Sequence, residues 1–262
     1  ISQHMTVTTF IDRAQRRVEN EQSAVSAKRD AFDRFRDRVS SLPTAPATPA
    51  GGMTATVGTQ LQNSRTGDDQ CRAVRTAFRE TIRPHSCDGD ESLLETIRNE
   101  FTDQIAVALA STTETGFSSE LKGAILSETE NRATETRAMS RALDTETAHL
   151  ESAGETVDEI TAWLAEKNER PLTEFGFDAL QQRHETLAAH RERCDELAQD
   201  RQTLLQGTTS QNLDAGIRHS QLVSYLYREF PVDNPVVATT VRLDELCASA
   251  QRTVRDHLVR RA

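Results

Sequence analysis

Between Ile11 and Leu42 an apolar side chain returns every seven residues, at Ile11, Val18, Val25, Phe32 and Val39. The interleaved positions Ala14, Glu21, Lys28, Phe35 and Leu42 complete alternating steps of three and four. That spacing keeps one seam of an α-helix turned toward a partner helix. The residues in between are mostly Arg, Asp, Glu and Ser, so the seam is all that this helix has to bury. At 1.5 Å per residue it spans about 45–50 Å, and it needs partners of comparable length.

Two later segments supply them. Residues 118–167 carry Leu121, Ile125, Met139, Leu143, Leu150, Val157, Ile160 and Leu164, with Glu146 and Ala153 in weaker slots. The middle of that segment, 128–136, is strongly polar. Residues 177–206 carry Phe177, Leu180, His184, Leu187, Cys194, Leu197, Arg201 and Leu204 or Leu205. Polar residues within the seams (Glu21, Lys28, Arg201) imply that no pair of helices suffices and that several must combine. Shorter helices are expected over 69–82, 91–110, 220–230 and 236–260, the first capped by Asp68 or Asp69 and the second, a single run to Ala110, opened by Ser92 or a nearby acid. Residues 43–68, beginning PTAPATPAGG, read as an irregular linker or loop with room for local helix.

The expected fold is therefore all-α. It is an elongated antiparallel helical bundle or coiled coil of three long helices, with several shorter helices packed as a globular end. Residues 1–4 look like an expression remnant before Met5, 5–42 form the N-terminal heptad helix, and 69–262 form the bundle, with a C-terminal module from about 218. A hydrophobic fraction of 36% and only 5% aromatics suit helices that bury a narrow stripe.

Acidic residues outnumber basic ones 41 to 31, and only Lys28, Lys122 and Lys167 are lysines. The combination points to a salt-loving archaeon, whose proteins stay soluble through a hydrated acidic surface. Molar salt shortens screening to about 3 Å and weakens phosphate-driven nucleic-acid binding. With no leader after Met5 and no apolar run near the roughly 20 residues a bilayer needs, a cytoplasmic location and no membrane partner are expected. The cysteines, Cys71, Cys87, Cys194 and Cys247, form no CxxC pair. Three of them (Cys71, Cys194 and Cys247) fall on apolar helical positions and read as small buried hydrophobes.

Motifs with chemistry are few. His85, Cys87, Asp88 and Asp90 crowd one loop but match no zinc spacing, so no metal is expected. No nucleophile elbow, phosphate loop, HExxH or EF-hand pattern occurs, so neither an enzyme nor a cofactor is expected. His184 and His190 lie on different faces of one helix, with His184 on the seam. The tail carries Arg252, Arg255, Arg260 and Arg261, a candidate nucleic-acid contact, yet it lacks interleaved aromatics, and cations suit a helix C-terminus in any case. Tyr225, Tyr227, Phe230, Pro231 and Pro235 concentrate both tyrosines in one segment. They form either a partner or ligand surface or, the favoured reading, a plug that closes the helical core.

The run YLY…FPV…P at 225–235, LxxxC at Leu243–Cys247 and QRxVRDHLxRR from Gln251 resemble a haloarchaeal family of helical, coiled-coil proteins defined by a domain of unknown function. The AFRETI…PH segment at 77–85, NEF at 99–101 and RCxxLxxxRQxxL at 193–205 are similar as well. The resemblance implies a halophile and a defined C-terminal module, and carries no catalytic residue. The expected role is a non-enzymatic interaction or scaffold protein that self-associates, for instance as a homodimer, or docks a protein partner. One alternative is a DNA-associated regulator using the C-terminal basic helix. Another is a ligand-sensing bundle with a pocket beside Tyr225, Tyr227 and Phe230.

Overall fold

The computed structural model describes the backbone of residues 4–44, 57–86, 91–110, 116–207 and 217–260, with side chains at the same positions except 4–9 and 57–67. Among these residues there are eight α-helices and no strand. They are α1 (His4–Ser41), α2 (Val57–Thr81), α3 (Leu93–Glu100), α4 (Asp103–Ala108), α5 (Ser119–Lys167), α6 (Phe177–Gln206), α7 (His219–Tyr227) and α8 (Pro235–Val259). Short 3-10 turns follow α2 at Arg83–His85 and α5 at Leu172–Glu174. No described helix is long and apolar enough to cross a membrane. The chain divides into two compact units, residues 1–22 with 141–262, and residues 23–140, so α1 and α5 each contribute to both.

In the unit formed by 23–140, α1 lies antiparallel to α5. Arg36 reaches Glu130 at 3.5 Å, and farther along α1 the Lys122 ammonium donates to the carbonyls of Ser40 and Leu42, both at 2.7 Å. A lysine there satisfies carbonyls that a helix C-terminus leaves open. The core of the unit is a trio of rings, Phe35, Phe78 and Phe101, with centroids 5.6–5.9 Å apart. Val39, Val74, Ile82, Ile97 and Ile125 complete it. Lys28, a misfit on the α1 seam, meets Glu100 at 2.7 Å.

Two expectations change here. The segment assigned to a linker is helical from Val57, which places Asp68 and Asp69 inside α2. Once Cys71–Ile82 is held by burial, extending the helix backward adds one hydrogen bond per residue without a new nucleation cost. The single helix expected over 91–110 is two helices. Thr102 takes an extended conformation and accepts the Ile105 N–H, capping α4, while Ser92 and Glu95 form a capping box on α3. The break at Phe101 and Thr102 lets the Phe101 ring turn into the aromatic trio.

In the unit formed by 1–22 and 141–262, α1 is again antiparallel to α5: Ile11 and Gln15 lie against Gly154, and Gln22 reaches Asp144 at 2.8 Å. Helix α6 runs back along α5, with Arg193 on Glu159 at 2.8 Å, and α8 packs along α6, with Arg191 on Asp244 at 2.8 Å. Ile11, Val18, Leu150, Val157, Ile160, Leu187, Leu243 and Cys247 fill the core. The heptad of α1 is thus buried on partners from its own chain. Its polar middle, Glu21 to Lys28, is half-buried.

Candidate functional site

The seams of α5 and α6 each contain one charged residue that a heptad would not choose, Glu146 and Arg201. Because the two helices run antiparallel, the misfits arrive opposite each other. Arg201 Nη1 donates to Glu146 Oε2 at 2.7 Å and Nη2 to Oε1 at 2.9 Å. Helix α7 adds two more groups. His219 Nε2 lies 2.7 Å from Oε2, and the Tyr227 hydroxyl donates to Oε1 at 2.6 Å. Each carboxylate oxygen therefore has two partners, which uses its full capacity to accept. Arg201 Nε donates onward to the Asn234 side-chain oxygen at 3.2 Å, and that oxygen also caps α8 through the Val237 N–H. One network so ties α5, α6, α7 and the start of α8.

Glu146, Arg201 and His219 are fully excluded from solvent. Burial by itself would raise the Glu146 pKa; the hydrogen bonds from His219, Arg201 and Tyr227 and the Arg201 charge overcome it and hold the group at about 2. The carboxylate is thus ionised, and the His219 nitrogen facing it carries a proton, because the carboxylate has only lone pairs to offer. Burial pushes the Tyr227 hydroxyl well up, so it acts as a neutral donor. His219 Nδ1 has no hydrogen-bond partner among the described residues. A carboxylate at about 2 with every lone pair engaged and no path to solvent is not a base at neutral pH. Its chemistry is that of a lock between helices.

The aromatic segment proposed as a surface or a plug is divided by the structure. Tyr227 is buried in the lock and Pro235 is buried at the first turn of α8. Pro231 is exposed in the intervening turn. Tyr225 and Phe230 face outward onto an arginine-lined cleft. The Arg13 guanidinium lies over the Phe230 ring at 4.6 Å, and Arg17 and Arg228 over the Tyr225 ring, each at 5.7 Å. Glu21, the other misfit of the α1 seam, accepts from Arg17 at 2.7 Å and from the Tyr225 hydroxyl at 3.0 Å. The two rings and the three arginines over them, with Arg16, Asn20 and Glu229, line a hollow of about 240 Å³.

Arg13, Arg16, Arg17 and Asn20 share one face of α1 at steps of three, one and three, a basic stripe that attention to the apolar seam alone passes over. His219 had no sequence signal, being a lone polar residue before a short helix. Arg252, Arg255 and Arg260 are exposed at the end of α8, and Arg261 lies outside the described residues. His85 is exposed at the end of its 3-10 turn; Cys87, Asp88 and Asp90 lie outside the described residues. His190, not His184, is the buried histidine of α6, packed edge-on against Trp163 at 4.9 Å.

A family model described as a domain of unknown function, DUF7260, matches residues 9–251, and the chain belongs to that family. No curated protein and no solved structure matches it.

Proposed function

We propose that this DUF7260 member is a non-enzymatic interaction protein of a halophilic archaeon, cytoplasmic, which docks an acidic protein segment in the cleft around Tyr225 and Phe230. The observation that carries this reading is the set of four arginines, Arg13, Arg16, Arg17 and Arg228, three of them over the Tyr225 and Phe230 rings, which outnumber the adjacent acids Glu21 and Glu229 on a chain whose net charge is -10. Guanidiniums stacked on rings are held in place before binding, so less side-chain entropy is lost when they grip a carboxylate in two-point fashion. Direct contact matters in concentrated salt, where longer-range attraction is screened within about 3 Å. Large exposed apolar side chains (Val107, Phe177, Tyr225, Val241 and Val259) are scattered among the helices, which favours partner docking through charge over self-association through a spare apolar seam.

The test is fluorescence polarisation of a labelled glutamate-rich peptide against the full chain, under conditions in which circular dichroism shows it helical. Saturable binding that disappears in the combined variant R13E/R16E/R228E is expected. Equal binding by that variant, or none by the parent, refutes the reading. The same hollow supports a second reading, a bundle that senses a small anion beside Tyr225. Stabilisation by a compact dicarboxylate with no binding of the peptide identifies it.

A further inference from the structure

A second hollow lies where α5 hands over to α6, well away in sequence from the arginine cleft and sharing no residue with it. It has a volume of about 340 Å³ and is lined by Trp163, Lys167, Arg170, Phe175, Arg183 and Thr186, among others. Cations near the C-terminus of a helix are expected on dipole grounds, and Arg183 Nη2 does donate to the Lys167 carbonyl at 2.5 Å. That accounts for only part of the arrangement. Arg183 Nη1 is buried with no hydrogen-bond partner among the described residues. Burial lowers the Arg183 pKa, and no neighbouring carboxylate offsets it. Arg170 and Arg183 both lie over the Phe175 ring, at 5.1 and 5.8 Å. Of the three cations only Lys167 has a carboxylate in contact among the described residues, Glu166 at 2.6 Å.

Two positive guanidiniums held on a ring, without counter-charges, beside a half-buried indole are a receptor for a flat ring that carries an anionic group. Aromatic side chains accept any nucleobase face, and a pair of arginines suits a doubly charged phosphate better than a single carboxylate. The volume is at the lower end of the range for ligand pockets. We infer that this hollow binds a mononucleotide, its base against Trp163 and its phosphate on Arg170 and Arg183.

Trp163 is the chain's one tryptophan and lines this hollow, so its emission reports on what enters it. The full chain is titrated with adenosine monophosphate, adenosine and inorganic phosphate while the emission is followed. The expected result is a saturable change with the nucleotide, half-complete below about 1 mM, and at least about tenfold weaker for either half of it alone. Arg170 is exposed and touches only Phe175 among the contacts described above, so R170Q leaves the fold intact; R183Q is checked for retained helicity. Each should weaken the nucleotide about tenfold or more. No saturable change with the nucleotide, or a change that R170Q and R183Q leave untouched, overturns the inference.

Discussion

Glu146 and Arg201 stand 55 positions apart on two antiparallel helices and meet, wholly buried, as a two-point ion pair at 2.7 and 2.9 Å. Such a pair costs desolvation on both sides, so its effect on stability depends on whether one partner or both are removed. E146Q leaves the Arg201 charge buried without its counter-ion and is expected to destabilise by about 3–5 kcal/mol. The double variant E146L/R201L removes both charges and should recover much of that loss. Urea denaturation of E146L, R201L and the double variant measures the coupling; additive losses would show that the two groups act independently.

The depressed pKa of Glu146 makes a pH prediction with a definite sign. The folded-state value, about 2, lies below the ordinary 4.5. Folding therefore gains stability fully above 4.5, and loses it as the pH falls from there toward 2. At about 1.4 kcal/mol per pH unit the whole effect is about 3 kcal/mol. Thermal melts between pH 5 and 2 should show this loss in the parent protein, and E146Q, already destabilised, should show a flatter profile.

The two tyrosines separate the lock from the cleft. Y227F removes one of four donors to a buried carboxylate and is expected to cost about 1–3 kcal/mol. Y225F removes a hydroxyl at the surface, and its effect should stay within about 0.5 kcal/mol. Equal losses in chemical denaturation would contradict the division of the segment.

Within the 23–140 unit, the aromatic trio is the main packing element. F78A opens a hole between Phe35 and Phe101 and is expected to destabilise by about 3–5 kcal/mol. Hydrogen exchange should report the loss in the helices of that unit.

Burial raises the Cys194 and Cys247 thiols to about 12 and about 11. At pH 8 both are protonated and shielded, so iodoacetamide should label them slowly in the folded chain and quickly in denaturant. Peptide mapping by mass spectrometry distinguishes the two; rapid labelling of the native protein at either position would contradict their burial.

Periodicity made the helices legible. Seven-residue spacing on α1, and the seams on α5 and α6, marked which face each helix buries, because a helix repeats its faces by simple geometry. Proline and serine marked several ends for the same local reason. Two boundaries escaped that logic: α2 extends back to Val57, and Thr102 interrupts the stretch expected as one helix. Propagation from a buried turn and competition from a cap both depend on what the segment packs against.

The sequence by itself determined the helical class, the core-facing stripes, and the position of every charged misfit in those stripes. Only the tertiary structure decided what the misfits mean. Glu21, Lys28, Glu146 and Arg201 look like weak points along their own helices, since a seam position prefers an apolar side chain. Placed opposite their partners they become Glu21 on Tyr225, Lys28 on Glu100, and Glu146 on Arg201, His219 and Tyr227. A charge in a core is costly or stabilising according to what lies within about 3 Å of it, and the long-range pairings that set that distance are made by the fold.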